Sequence, residues 1–140
     1  LIGVGGTYFL HTNHFPPDIL LPAASVGLLS AGVLNLNNMR DRLSDKLSGK
    51  RTLAVLLGKN RVKIYHLALL SASILLGTIY TIMHFKSLYQ FSFLATLPLL
   101  FRNIREVMVN TIPAELDPEL KKLALATLVF AITFGIGNVL

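Results

Sequence analysis

The sequence has no cysteine and few charged residues, and both absences narrow what the chain can be. Without cysteine, the 140 residues can form neither a disulfide framework nor a metal site with thiolate ligands. Only 14% of the residues are charged and 53% are hydrophobic, which departs in both directions from an average water-soluble domain. The hydrophobic residues are gathered into blocks, as in segments that cross a bilayer. We therefore expect the chain to lie in a membrane, in contact with membrane lipid.

Basic residues are missing from some connecting segments and crowded into others. The net charge is +6, and eight of the thirteen lysine and arginine residues lie in the segment 40–63, whereas 11–18 contains none. Loops rich in lysine and arginine stay on the cytoplasmic side of a membrane. The pattern predicts a multi-pass protein of the cell inner membrane with loops 38–63 and 102–122 in the cytoplasm. It also explains the positive charge without a nucleic-acid partner.

Four apolar blocks are candidates for membrane-spanning helices. They cover residues 19–36, 64–83, 88–101 and 123–140. A helix of about 20 residues crosses the hydrocarbon core of a bilayer, so the short third block needs flanking basic residues that reach the interfaces. The apolar stretch 1–10 has no basic segment before it and no cleavage site after it, which disfavours a signal peptide. The expected fold class is an all-α integral membrane bundle with four full transmembrane helices and the end of one more.

The segment that follows the first full block carries polar residues in a regular spacing. On a helix that continues past the membrane surface, Asn38, Asp41 and Asp45 fall within a sector of roughly 60°. Carboxylate and amide oxygens suit Mg²⁺, which is often shared between one or two protein carboxylates and a substrate phosphate. The surrounding basic side chains suit phosphate oxygens. The pattern favours a diphosphate site, and a solvated loop that only sets membrane orientation is the alternative interpretation.

The segment 37–58 reads NNMRDRLSDKLSGKRTLAVLLG and resembles the second aspartate-rich motif of UbiA-type membrane prenyltransferases. Its asparagine pair and its Gly-Lys-Arg-Thr-Leu tail are similar to the branch of that family that prenylates 1,4-dihydroxy-2-naphthoate for menaquinone synthesis. Several relatives have an aromatic residue where this chain has Asn37, which disfavours the hydroxybenzoate branch. The family has nine membrane helices. The resemblance therefore implies that residues 1–140 are the C-terminal half of a single transmembrane prenyltransferase domain, incomplete at the N-terminus.

The resemblance also implies a reaction. In such enzymes two aspartate-rich motifs hold Mg²⁺ on a polyprenyl diphosphate, whose C–O bond ionises to an allylic cation. The electron-rich ring of dihydroxynaphthoate then attacks the cation and loses its carboxylate, which gives demethylmenaquinone. By this resemblance Asp41 and Asp45 are catalytic metal ligands, and Asn38 is a supporting ligand.

Basic residues of the same motif are the implied contacts of the diphosphate. They are Lys50, Arg51 and Arg40, with Asn38 beside them. An ideal helix, however, directs the side chain of Arg40 well away from Asp41. No second Asp-x-x-x-Asp spacing occurs in the 140 residues. The chain therefore carries half of the implied metal site, and residues 1–140 alone are expected to be inactive.

Two other functions are compatible with parts of the pattern. A CDP-alcohol phosphotransferase also uses membrane aspartates and a metal on a diphosphate, but its motif begins with Asp-Gly, a pair that this sequence lacks. A non-enzymatic bundle, such as a transporter or assembly subunit, would need the basic loop for orientation only. A separate metal site at His11, His14 and Asp18 is disfavoured because no further ligand is evident.

Overall fold

The computed structural model describes residues 1–139, which form six α-helices and three 3₁₀ segments. The α-helices are α1 (Ile2–Thr12), α2 (Leu20–Arg40), α3 (Arg42–Leu47), α4 (Leu53–Met83), α5 (Leu97–Val109) and α6 (Asp117–Val139). The 3₁₀ segments are Pro17–Ile19, Leu88–Thr96 and Pro113–Leu116. The described residues include no strand, and the predicted all-α fold class is confirmed.

Among the described residues, three segments are long and apolar enough to cross a membrane, namely Pro17–Arg40, Leu53–Met83 and Pro113–Val139. They contain the first, second and fourth predicted spans as far as residue 139. Each helix extends beyond its apolar block, and α4, which is interrupted at Gly58, begins eleven residues before the predicted start at residue 64. Hydropathy marks only the uninterrupted apolar part of a helix, whereas helical structure also includes the polar residues that flank it.

The third predicted span differs from the expectation of one continuous helix. Its first part is the 3₁₀ segment Leu88–Thr96, and α5 follows it directly. Gln90 fixes the start of the 3₁₀ segment: its Oε1 accepts the backbone N–H of Ser87 at 3.1 Å, and its Nε2 donates to Asn138 Oδ1 of α6 at 3.1 Å. Pro98 lies in the first turn of α5, where its missing N–H costs little. The proline therefore begins a helix here and does not kink one.

α2 is the central helix of the bundle and packs against α4 and α6. Ser25 Oγ donates to the Ser73 carbonyl oxygen at 2.7 Å, and Ser73 Oγ donates to the Ser25 carbonyl oxygen at 2.8 Å. These two bonds satisfy buried hydroxyl groups between α2 and α4, as membrane helices require. Large apolar side chains form the rest of the core, including Leu29, Leu36, Leu70, Leu123 and Phe130.

The connections before α2 and after α4 meet at one end of the bundle. There the Asp18 carboxylate lies 2.5 Å from His84 Nε2. α1 ends at Thr12, and the following Asn13 adopts a left-handed conformation with φ 51° and ψ 22°. The structure therefore pairs Asp18 with His84, a partner that the sequence spacing did not suggest.

α6 approaches the 3₁₀ segment Leu88–Thr96 so closely at Gly137 that a side chain does not fit. A Cβ atom at Gly137 would overlap the carbonyl oxygen of Tyr89, whereas a Cβ atom at Gly135 would meet no atom within 4 Å. We predict that Gly137→Ala lowers the free energy of unfolding by about 1–3 kcal/mol, because backbone atoms must move apart. Gly135→Ala should be neutral or slightly stabilising. Thermal unfolding in detergent checks this pair, and equal midpoints would contradict the close approach.

Candidate active site

The aspartate-rich segment breaks the helix at Asp41 instead of continuing it. α2 ends at Arg40, Asp41 has φ −88° and ψ 1°, and α3 begins at Arg42. The break is short, because the Asp45 N–H still donates to the Asp41 carbonyl oxygen at 2.9 Å. The Ser44 hydroxyl donates to the same oxygen at 2.8 Å. Asp41 and Asp45 are thus one helical turn apart, as predicted, but Asp41 is the N-cap of α3 and Asp45 lies within α3, not on an extension of α2.

Arg40 connects three polar residues at this end of the bundle. Its Nε and Nη2 donate to the two carboxylate oxygens of Asp41 at 2.8 and 3.0 Å, and its Nη1 donates to Asp117 Oδ1 at 2.6 Å. Nη2 also donates to Asn37 Oδ1 at 2.8 Å. The expectation that Arg40 points away from Asp41 was wrong, because the long side chain of Arg40 reaches the carboxylate of its neighbour. One guanidinium group therefore joins α2, the aspartate-rich segment and α6.

The guanidinium group of Arg40 favours the ionised form of Asp41. Its hydrogen bonds hold the pKa of Asp41 below the ordinary value; partial removal from water acts in the opposite direction, and the charge of Lys50 adds to the lowering. An ionised carboxylate accepts hydrogen bonds and binds metal ions, and it cannot donate. Asp41 is therefore in the form that a cation would bind at neutral pH.

Asp45 is the more buried of the two acids, with a side chain that is only 9% exposed. Its Oδ1 accepts a hydrogen bond from Lys50 Nζ at 3.0 Å, and its backbone carbonyl accepts one from the Lys50 N–H at 2.9 Å. The bond to Asp45 raises the pKa of Lys50 above its ordinary value. Each acid of the pair thus has its own basic partner: Arg40 for Asp41 and Lys50 for Asp45.

Two glycines with positive φ shape the backbone after α3, one before α4 and one inside it. Gly49 has φ 73°, and Gly58 has φ 75° with ψ −178°. The second combination is open essentially to glycine alone, and it bends α4 inside its first two turns. Thr52 caps the start of α4 through its side chain. Gly49 and Thr52 therefore shape the loop that exposes Lys50 and Arg51, and Gly58 bends the helix that follows this loop.

The oxygen donors of this loop fit a shared Mg²⁺ site. Asp41 and Asp45 supply carboxylates, and Asn38 is half-buried on the last turn of α2. Within residues 1–139 no group of three or more His, Cys, Asp or Glu side chains could hold a metal ion. Mg²⁺ usually keeps water ligands and binds one or two carboxylates together with substrate phosphates. Two carboxylates therefore fit the ion when a phosphate completes its ligands.

A second polar cluster, which was not predicted, joins α4, α5 and α6. His66 Nε2 lies 3.0 Å from Asn103 Oδ1, and Asn103 Nδ2 donates to Glu119 Oε2 at 3.1 Å. Lys122 Nζ donates to Glu119 Oε1 at 2.5 Å. Each of these bonds satisfies a polar group in the bundle. In the sequence, the run Asp-Pro-Glu at 117–119 is typical of a helix start, and α6 begins at Asp117.

The sequence is similar to a family of membrane enzymes over most of its length. Residues 1–111 match the model of the UbiA prenyltransferase family. The 1,4-dihydroxy-2-naphthoate octaprenyltransferases of Haemophilus influenzae and Escherichia coli K12 are 39% and 35% identical over 98% and 97% of the chain. The enzyme of that name from Mycobacterium leprae is 33% identical over 94%. The chain spans 44% of the length of each relative. No solved structure matches it with significance.

Proposed function

The chain belongs to the UbiA prenyltransferase family, and from this premise we propose that it forms part of an enzyme acting on 1,4-dihydroxy-2-naphthoate. The enzyme transfers a polyprenyl group from polyprenyl diphosphate and releases diphosphate and carbon dioxide, to give demethylmenaquinone in its reduced, dihydroxy form. The observation that carries the proposal is the pair of acids one turn apart, Asp41 held by Arg40 and Asp45 held by Lys50, in a loop rich in basic residues. Such a loop matches a metal-bound diphosphate in charge and in donor type.

Each residue of the loop has a part in the proposed chemistry. Asp41 and Asp45 would hold Mg²⁺, with Asn38 in support, and the ion when bound would supply positive charge that stabilises the departing diphosphate. Lys50 and Arg51 lie on the exposed connection, where they can donate to phosphate oxygens. Lys50 would exchange its bond to Asp45 for one to the substrate.

Arg40 has a different part in the proposal. Four of the five N–H donors of a guanidinium group are already used, two by Asp41, one by Asp117 and one by Asn37. One donor remains for a diphosphate oxygen, which keeps the expected substrate contact possible. Its main part is to hold the Asp41 carboxylate in place, because that pair uses two parallel hydrogen bonds.

Asn37 supports the choice of dihydroxynaphthoate as the acceptor. Its amide oxygen accepts a hydrogen bond from Arg40 at 2.8 Å, which an aromatic hydrocarbon side chain could not do. The relatives with 33–39% identity carry the name of dihydroxynaphthoate octaprenyltransferases. Both observations favour the naphthoate branch over the hydroxybenzoate branch.

A bacterial strain that lacks its own dihydroxynaphthoate prenyltransferase tests this function. Expression of the intact protein should restore menaquinone in the membrane, measured by liquid chromatography and mass spectrometry. A strain that lacks its hydroxybenzoate prenyltransferase is the matched control and should gain no ubiquinone. Absence of menaquinone in the first strain, with the protein detected in its membranes, would refute the proposal. Ubiquinone in the second strain would assign another acceptor.

We propose that the protein is a multi-pass protein of the cell inner membrane with loops 38–63 and 102–122 in the cytoplasm. The crowding of basic residues in 40–63 supports this orientation. These 140 residues contain no cysteine, so single cysteines can be introduced as reporters. We predict that Thr12→Cys reacts with a membrane-impermeant thiol reagent added to intact cells, whereas Ser48→Cys reacts only after the cells are opened. The reverse labelling pattern would overturn the orientation.

A further inference from the structure

A cavity of about 190 Å³ lies beside the aspartate-rich segment, where α2, α3 and α4 meet the connection between α5 and α6. Its floor includes Met39, Val62 and Leu116, three buried apolar residues. Its polar lining includes Asn110 and Thr111. The cavity is smaller than pockets that enclose drug-sized ligands, which measure about 300 Å³ or more. It has room for a small polar group with several waters.

Three basic side chains line this cavity: Arg42 from α3 and Lys59 and Lys63 from α4. None of the lining residues is acidic. Within residues 1–139 none of the three forms an ion pair. Lys63 Nζ donates to the carbonyl oxygens of Met108 and Asn110 at 2.9 and 2.5 Å, which anchors the ammonium group without neutralising it.

Two other basic residues of the neighbouring segment have acidic partners. Arg40 binds Asp41 and Asp117, and Lys50 binds Asp45. Glu115 is linked to the cavity through Asn110, whose Nδ2 donates to Glu115 Oε2 at 3.2 Å. Glu115 itself does not line the cavity. Lys59 and Lys63 are four residues apart on one helix, an arrangement of like charges that opposes helix stability. An anion in the cavity would offset that repulsion.

We propose that this cavity binds a phosphate group, contributed by the headgroup of an anionic membrane lipid or by free phosphate. Arg42 and Lys59 would donate to the phosphate oxygens, because a guanidinium group and an ammonium group are the usual protein donors to phosphate. The anchored Lys63 adds a fixed positive charge. None of the residues proposed to act in prenyl transfer lines the cavity, so this site is separate from the Asp41–Asp45 site.

The test compares two double variants of the intact protein. Arg42→Gln/Lys59→Gln removes two charges from the cavity, one from α3 and one from α4. Lys46→Gln/Arg61→Gln removes two charges from the same helices at exposed positions outside the cavity. Arg42→Lys/Lys59→Arg keeps both charges in the cavity. This third variant should still bind the phosphate probe, which would show that the glutamine variant lost binding through its charge and not through unfolding. Binding is measured in the absence of prenyl substrates, so the result does not depend on the proposed enzymatic function.

Two probes distinguish the source of the phosphate. Phosphatidylglycerol is titrated against phosphatidylcholine of the same acyl composition and followed by native mass spectrometry. Inorganic phosphate is titrated by calorimetry. We expect the cavity variant to bind one of the two anionic probes about tenfold or more weakly, since each basic residue near a phosphate surface contributes on the order of 1 kcal/mol. The probe whose binding weakens shows whether the phosphate comes from a lipid headgroup or from free phosphate. Equal losses in both glutamine double variants, or no binding of either probe to the wild type, would overturn the proposal.

Discussion

Asp45→Asn is expected to lower the kcat of prenyl transfer by the intact protein by on the order of 10²-fold or more, and Asp41→Asn by a similar factor. This is the scale of loss when a principal electrostatic stabiliser of a transition state is removed. Asparagine keeps the shape of the side chain but removes the negative charge that a divalent cation requires. The measurement is the initial rate of product formation in membranes at saturating substrate, with Mg²⁺ titrated for each variant.

Glu115→Gln is the matched control, because it removes one exposed carboxylate from the connection between α5 and α6. Its kcat should stay near the wild-type value. Higher Mg²⁺ should not rescue either aspartate variant completely, since an amide cannot replace the lost charge. Near-normal rates for both aspartate variants would leave orientation in the membrane as the function of this loop.

Arg40→Lys is expected to reduce kcat on the order of 10²-fold, nearly as much as Arg40→Gln. An ammonium group keeps the charge, but it cannot make two parallel bonds to Asp41 while also reaching Asp117 and Asn37. A small displacement of a catalytic group can cost this much. The measurement is kcat and the KM for polyprenyl diphosphate in both variants. Full activity of the lysine variant would mean that Arg40 acts through its charge alone.

Asp117→Asn tests whether Arg40 acts by positioning Asp41, because the substitution leaves the charge of Arg40 unchanged. Asp117 Oδ1 accepts a hydrogen bond from Arg40 Nη1 at 2.6 Å, although the two residues are 77 positions apart in the sequence. Replacement of Asp117 therefore weakens the hold on Arg40 and leaves Asp41 and Asp45 unchanged. Residues that orient metal ligands typically contribute 10–100-fold to metal affinity or activity. We expect the Mg²⁺ concentration for half-maximal rate to rise within about that range. An unchanged Mg²⁺ requirement would show that Asp117 does not act through Arg40 on Asp41.

The spans that meet lipid could be predicted because a bilayer imposes a simple rule on hydrophobic length. That rule located α2, the lipid-facing part of α4, and α6. It did not distinguish the 3₁₀ segment Leu88–Thr96 from an α-helix, because hydrophobicity carries no information on the hydrogen-bond register. It also could not place the start of α4 at Leu53, because the basic stretch 59–63 separates residues 53–57 from the apolar block that begins at residue 64.

The one-turn separation of Asp41 and Asp45 could be predicted from their spacing, because four residues make about one turn of a helix, whereas their binding of a metal ion stays a prediction. The break at Asp41 could not be predicted, and neither could the bonds from Arg40 to the Asp41 carboxylate. Asp117 was also missed as a partner, because contacts over such a separation depend on how α2 and α6 pack. Gly58 belongs to the motif that resembles the family's second aspartate-rich motif. Its positive φ, which is open essentially to glycine alone, is visible only in the structure.

The most direct test of the central claim uses the purified intact protein with a polyprenyl diphosphate and dihydroxynaphthoate that carries an isotopic label in its carboxyl group. The expected result is formation of the prenylated naphthoquinol, detected as the quinone after oxidation in air, together with an equal amount of labelled carbon dioxide. Both should depend on Asp41 and Asp45. A prenylated product that retains the label, or no product from this acceptor, would contradict the assignment of this chain to a decarboxylating dihydroxynaphthoate prenyltransferase.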